Sequence, residues 1–157
     1  MSKSNQNDIV IGFKWLNDEA VGDINIPAYE TSGASGMDVC AALEQDVDLH
    51  PGDIVLIPTG FAIDIPAGYE IQVRPRSGLA IRHGVTIVNA PGTIDSDYRG
   101  EVKIGLINVS RKAFTIKRGD RIAQLVAAPV VKVRMNIVET LSQSKRDVGG
   151  FGHTGVR

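Results

Sequence analysis

Residues 91–101, Pro91-Gly-Thr-Ile-Asp-Ser-Asp-Tyr-Arg-Gly-Glu101, place four ionisable side chains and an aromatic ring between two apolar, β-rich runs at 85–88 and 102–109. Proline and glycine constrain such a stretch into turns. A carboxylate beside a ring on a rigid turn can serve as a general base next to a stacking platform, and Asp95 and Tyr98 stand in those positions.

Other groups could handle an anion. Arg76-Ser77-Gly78 lies where an extended run meets a short helical pattern, and amides there favour an anion that a guanidinium also binds. The plainer account is a capping serine with a surface arginine, and these three residues alone favour it. Asp95 and Asp97 flank Ser96 in one loop, and Asp38 follows Gly36 in another. Such carboxylates suit a hydrated Mg²⁺ held mainly through phosphates, although aspartate is also an ordinary turn residue. His50, His83 and His153 have no ligand spacing, which argues against a structural zinc. Gly149-Gly-Phe-Gly-His-Thr-Gly155, preceded by Lys145 and Arg146, has the composition of a phosphate cradle but lacks the Gly-Lys-Ser/Thr ending of a Walker loop. Glycine-rich tails are more often simply flexible. Phe151 has no core to join there, which favours a residue that folds over a ligand.

The elements that must position these groups are short. Residues 69–74, Tyr-Glu-Ile-Gln-Val-Arg, alternate with period two and put Tyr69, Ile71 and Val73 on one face. Residues 61–65 alternate as well, with Pro66-Ala-Gly68 as the turn between the two runs. Further strands are expected at 9–15, 37–41, 53–57, 102–109, 114–116, 122–127 and 130–137. Many short strands with frequent turns imply an all-β fold, a β-barrel or jelly-roll-like sandwich. One helix is expected, Ser77 to His83, with Ser77 as N-cap and Gly84 as the C′ residue. Two segments follow: a β domain over 1–141, and a polar, glycine-rich, mobile tail over 142–157.

The 157 residues fit one domain with a real core, and 22% charged with 43% hydrophobic residues is ordinary for a soluble globular chain. A formal net charge of −1 supplies no global field toward nucleic acid or an acidic membrane, so neither is expected as a partner. No apolar run approaches a membrane span. Cys40 cannot form an internal disulfide and reads as a small buried hydrophobe, in agreement with a reducing, cytoplasmic setting.

Each signal is weak alone, but their order along the chain resembles the trimeric dUTP diphosphatases (dUTPases) over nearly the whole length. Five motifs carry the resemblance: Ala34-Ser-Gly-Met-Asp-Val39, Pro75-Arg-Ser-Gly-Leu-Ala80, Val88-Asn-Ala-Pro-Gly-Thr-Ile-Asp-Ser-Asp-Tyr-Arg-Gly100, Gly119-Asp-Arg-Ile-Ala-Gln-Leu125, and residues 146–155. The resemblance implies a dUTPase-like β-clip barrel that hydrolyses dUTP to dUMP and pyrophosphate. That activity limits uracil in DNA and supplies dUMP for dTMP synthesis.

The resemblance also implies roles. Asp38 would hold Mg²⁺ through metal-bound water, and Arg76, Ser77, Gly78 and Gln124 would contact phosphates. The third motif would form a hairpin whose backbone at Gly92, Thr93 and Ile94, with Asn89, binds uracil. Tyr98 would pack on the deoxyribose and exclude a 2′-hydroxyl, and Asp95 would orient the attacking water. Arg146 would reach the γ-phosphate and Phe151 would cover the uracil, with Gly150, Gly152 and Thr154 completing the tail site. Asp97 matches no role. Two positions depart from the family pattern: His153 replaces the usual serine, and Asp147 replaces a frequent glycine and is expected to point outward. The implied assembly is a homotrimer with sites shared between subunits.

Competing readings are a dCTP deaminase or bifunctional deaminase–diphosphatase on the same fold, a catalytically idle nucleotide-binding protein, and a capsid- or lectin-like β module. The glycine-rich fifth motif and the Asp95/Tyr98 pairing favour the diphosphatase. An idle protein is expected to have lost Asp95, Ser77 or Arg146, and a bare β module explains none of the motifs.

Overall fold

A computed structural model describes residues 8–17 and 22–149. Eleven strands and one helix follow in the order β1 (Gly12–Trp15), β2 (Met37–Cys40), β3 (Val47–Leu49), β4 (Ile54–Pro58), β5 (Phe61–Asp64), β6 (Tyr69–Arg74), α1 (Ser77–His83), β7 (Val85–Ile87), β8 (Gly92–Ile94), β9 (Lys103–Asn108), β10 (Phe114–Ile116) and β11 (Arg121–Pro129). They form antiparallel sheets ordered β2-β11-β6-β8, β4-β9-β7, β1-β5 and β10-β3. Every pair is antiparallel, as the jelly-roll-like expectation requires.

The alternation in β6 has its expected consequence. Ile71 and Val73 are buried while Arg74 is exposed, and β6 pairs on one side with β11 and on the other with β8. The core runs between the sheets through Val39, Leu49, Ile57, Phe61, Ile71, Ile104, Leu106, Ile116 and Ile122. Each such side chain contributes roughly 1.5–3 kcal/mol by leaving water. Phe13, Trp15 and Phe61 form an aromatic cluster, with Phe13 and Phe61 centroids 4.9 Å apart, that fastens β1 to β5. Two buried polar side chains are paired: Thr59 donates to the Val102 carbonyl, and Asn108 donates to those of Leu49 and Lys112.

Four local expectations change. Residues 130–137 alternate like a strand, but beyond the Val130 N–H, which donates to the Gly68 carbonyl at 2.9 Å, they form no strand. Val131, Val133, Met135 and Ile137 are all exposed, because no strand edge within one chain receives them. Residues 92–94, read as loop, form edge strand β8 because β6 supplies a partner. β3, too short to stand out in sequence, forms against β10. The helix has the expected bounds and ends at Gly84 in the left-handed conformation, but its N-cap is Arg76 and no side chain caps it. Ser77 is the first helical residue, and its hydroxyl is not spent on capping.

Candidate active site

The third motif is not a ladder-paired hairpin. β7 pairs with β9 whereas β8 pairs with β6, so the chain crosses from one sheet to the other between them. The Ala90–Pro91 peptide in this crossing is cis. As a consequence β8 is an edge strand: β6 covers one side, and no strand of the described chain covers the other. Its outer backbone groups are therefore available to a ligand, just as an edge offers them to another strand.

Asn89 lies beside this edge, over two glycines. A Cβ at Gly92 would stand 3.1 Å from the Val73 Cβ and 3.4 Å from the Asn89 Nδ2. One at Gly105 would stand 3.1 Å from the Val88 Cγ1 and 3.7 Å from the Asn89 Oδ1. The glycines thus make room for the amide in a cavity of about 280 Å³ lined by Val73, Val88, Asn89, Gly92, Thr93 and Lys103, among others. An adjoining cavity of about 330 Å³ shares Thr93 and Ile94 and adds Asp95, Tyr98 and Glu101.

A tight turn sets Asp95 and Tyr98, with the Tyr98 amide donating to the Asp95 carbonyl at 3.1 Å. Asp95 is exposed, as is Asp97, a solvated turn residue. The Tyr98 hydroxyl donates to the Glu101 carbonyl at 3.0 Å, which lays the ring across Gly100. Any side chain at 100 would collide with it: a Cβ there meets the ring Cζ at 2.6 Å. Tyr98, 47% exposed, lines the second cavity.

A second cluster gathers the other motifs. The Arg76 Nε donates to the Asp38 Oδ1 at 3.1 Å, and an Arg121 Nη donates to the Asp38 Oδ2 at 3.1 Å. Arg76 also donates to the Arg121 carbonyl at 3.0 Å, and Arg121 pairs more loosely with Glu30 at 3.4 Å. Gln124 stands opposite Asp38 across β2 and β11, donates to the Pro75 carbonyl at 2.9 Å and packs against Gly36. Two bonds fix the plane of the Arg76 guanidinium and leave some of its five donors for an anion. Ser77 is exposed beside it and Gly78 half-buried.

The Asp38 carboxylate is only 17% exposed and receives one guanidinium on each oxygen. A carboxylate has about four acceptor sites, so it can still take hydrogen bonds from water. It fits a hydrated Mg²⁺ bound chiefly through phosphates, not a cage of protein ligands. No group of three potential metal ligands exists among the described residues. Cys40, expected to be buried, is half-buried beside this cluster and lines a cavity with Asp38 and Arg121. Burial pushes its thiol up, Arg121 opposes this and Asp38 adds to it, so the nucleophilic thiolate is disfavoured.

Neither cavity beside β8 includes Asp38, Arg76, Ser77 or Gln124. In the tail, the Arg146 Nε donates to the Gly149 carbonyl at 2.7 Å. Asp147 is exposed with φ 44°, in the left-handed region, a conformation that aspartate tolerates. Gly150, Phe151, Gly152, His153 and Thr154 lie outside the described residues.

Three contributors escaped the sequence reading: Gly105, Gly36 and Arg121. A glycine inside an apolar strand signals close approach of another group, so Gly105 could have been found. Arg121 and Gly36 carried no such signal, since their partners are remote in sequence.

A dUTPase family model matches residues 22–155. The chain is 64% identical over 146 residues to a deoxyuridine 5′-triphosphate nucleotidohydrolase of Desulfotalea psychrophila, covering 93% of this chain and 97% of that protein. The chain belongs to the dUTPase family. A second dUTPase relative, from Thermoanaerobacter sp., is 53% identical over 134 residues, covering 85% of this chain and 90% of its own. The solved dUTPase of Staphylococcus bacteriophage 80alpha with dUPNHPP superposes with a TM-score of 0.82 at 27% identity, covering 94% of this chain and 99% of that one. No helix among the described residues of this dUTPase is long and apolar enough to cross a membrane.

Proposed function

We propose that this dUTP diphosphatase converts dUTP to dUMP and pyrophosphate by in-line attack of water on the α-phosphorus. Removal of dUTP limits uracil in DNA, and the dUMP formed feeds dTMP synthesis. The observation that carries the reading is the open edge of β8 beside Asn89, because it offers fixed donors and acceptors to the rim of a base.

Uracil takes the place of a further strand, hydrogen-bonding the backbone of Gly92, Thr93 and Ile94 together with the Asn89 amide. A base with the wrong donor pattern leaves these groups unpaired, and such sites discriminate by about 10⁴–10⁵. Tyr98 packs its face on the deoxyribose and leaves no room for a 2′-hydroxyl. Asp95 accepts a proton from the attacking water as the water oxygen bonds to the α-phosphorus and the bond from that phosphorus to the bridging oxygen breaks, releasing pyrophosphate. An aspartate in solution is a weak base, so its contribution is position. Arg76, Ser77, Gly78 and Gln124 hold the phosphates with preorganised donors, and Asp38 holds Mg²⁺ through metal-bound water. When bound, Mg²⁺ neutralises charge on the phosphates and the leaving pyrophosphate.

The working assembly is a homotrimer in the cytoplasm. One subunit supplies residues 89–98, a neighbour supplies Asp38, Arg76, Ser77, Gly78 and Gln124, and the third supplies its tail over 142–157. There Arg146 reaches the γ-phosphate, Phe151 covers the uracil, and Gly150, Gly152 and Thr154 close the site. Two observations support sharing: the cavities beside β8 are lined by none of Asp38, Arg76, Ser77 and Gln124, and apolar side chains at 131–137 face solvent where an assembly could cover them.

The test is incubation of dUTP, dTTP, dCTP and UTP separately with Mg²⁺, reading nucleotide products, pyrophosphate and ammonia. Pyrophosphate and dUMP from dUTP alone are expected. Orthophosphate, ammonia from dCTP, or equal turnover of all four sinks the proposal. Truncation before Arg146 should leave a folded trimer with severely weakened turnover, and an unfolded product contradicts the role given to the tail.

A further inference from the structure

The loop bearing Asp95 and Tyr98 is hung from both ends of β5. At one end the backbone N–H of Gly60 donates to the Glu101 Oε1 at 3.0 Å, and Glu101 in turn accepts the Tyr98 hydroxyl through its carbonyl. At the other end Arg99 acts alone. Its Nη1 donates to the carbonyls of Ser96 at 2.7 Å and Tyr98 at 2.9 Å, and its Nη2 meets the Asp64 Oδ1 at 2.6 Å. Asp64 is a firm anchor: it follows buried Ile63 and stands in register with Gly12 across β1.

We propose that Arg99, steadied by Asp64, is a positioning residue that sets the turn carrying Asp95 and Tyr98. The role rests on the reading of those two residues as water-orienting base and sugar platform. The Arg99 and Asp64 side chains are 55% and 66% exposed, and ion pairs that open to water add little to stability. The bonds do something else. They tie the carbonyls at 96 and 98, on either side of the turn tip, to one guanidinium, and that guanidinium to a strand end. With both carbonyls held, the Tyr98 amide stays on the Asp95 carbonyl and the ring stays over Gly100. Only a planar fork with several donors reaches two carbonyls and a carboxylate together, so lysine is not an equivalent.

The experiment uses the full chain with Arg99→Gln, Arg99→Lys and Asp64→Asn. Steady-state kinetics on dUTP and UTP are measured beside amide hydrogen exchange at Tyr98. In Arg99→Gln, kcat on dUTP should fall about ten- to a hundredfold, the scale of a small misplacement of reacting groups. KM for dUTP should hold, preference for dUTP over UTP should drop, and the Tyr98 amide should exchange faster while core amides do not. Arg99→Lys should recover little. Asp64→Asn should shift the same readouts less, and it carries the test if the arginine variants fail to fold. A raised KM with kcat intact overturns the proposal in favour of direct substrate contact. Wild-type kinetics and wild-type Tyr98 exchange overturn it in favour of an idle surface pair. A wild-type enzyme that releases no pyrophosphate from dUTP removes the functional reading instead, while Tyr98 exchange still decides whether Arg99 holds the turn.

Discussion

The two halves of the candidate site solve positioning in opposite ways. The loop over 89–101 leaves its chemical groups open: Asn89, Asp95 and the Tyr98 ring all face solvent, and what holds them is backbone turns, glycine clearances and the guanidinium of Arg99. The cluster around Asp38 does the reverse. Asp38, Arg76 and Arg121 bind one another, and Gln124 is tied to the Pro75 carbonyl. Open groups suit selection of a neutral base and sugar, where each donor must be free and correctly aimed. Mutually bonded charges suit a strongly charged ligand, because they fix guanidinium planes in advance without leaving like charges unpaired. Function and stability should therefore separate in the loop and be entangled in the cluster.

The largest expected effect breaks the loop alone. Asp95→Asn should lower kcat by ~10²–10⁴ with the melting midpoint and substrate affinity kept. Near-normal turnover, read as pyrophosphate release, would remove Asp95 from its role.

Asp38→Asn probes the cluster and should damage both properties. Losing charge-assisted bonds to two guanidinium groups costs about 1.5–3 kcal/mol in this half-screened setting, and turnover should fall too. Urea unfolding beside kinetics checks this; lost turnover at unchanged stability would mean that the cluster is as separable as the loop.

Two glycine substitutions sharpen the contrast at smaller magnitude. Gly100→Ala must displace the Tyr98 ring, and a half-exposed ring swings away cheaply. Dome-shaped stability curves should overlay those of the wild type, while preference for dUTP over UTP declines in competition assays. Gly36→Ala pushes on Gln124, whose Cδ would lie 3.2 Å from the new Cβ. Loss of its bond to the Pro75 carbonyl should raise KM more than it alters base or sugar preference.

The smallest effect lies outside both halves. The Arg118 guanidinium holds the Asp23 carboxyl below its ordinary value of 3.8. A carboxylate lowered in the folded state contributes stability above its unfolded value, and that contribution is lost as pH falls through the folded one. Asp23→Asn should flatten acid unfolding slightly below about pH 4, with kcat at neutral pH untouched. Any change in neutral kcat would link this corner to the site.

Much of the fold was legible where side-chain period and turn residues agreed. Residues 69–74 and 114–116 read to the residue, the former because its alternation is bracketed by Gly68 and Pro75. The helix over 77–83 was legible from its glycine stop. Gly92–Ile94 was missed because a glycine-led tripeptide has no intrinsic strand signal and becomes a strand only against β6. Residues 130–137 show the converse: their alternation is real, yet a pattern specifies a face and not a partner.

Of the site, sequence determined the inventory: which carboxylates, arginines, glycines and ring exist, in an order that marks the dUTPase family. Residue types and local spacing are enough for that, since turns and short helices depend on neighbours in the chain. Tertiary structure alone decided the company each residue keeps. Asp38 meets Arg121 across 83 positions, Arg118 meets Asp23 across 95, and Tyr98 lies over a glycine that must be bare. Such meetings depend on which strands pair and on which edge stays open. Those are long-range choices made by burial of the whole core, and no local window of sequence contains them.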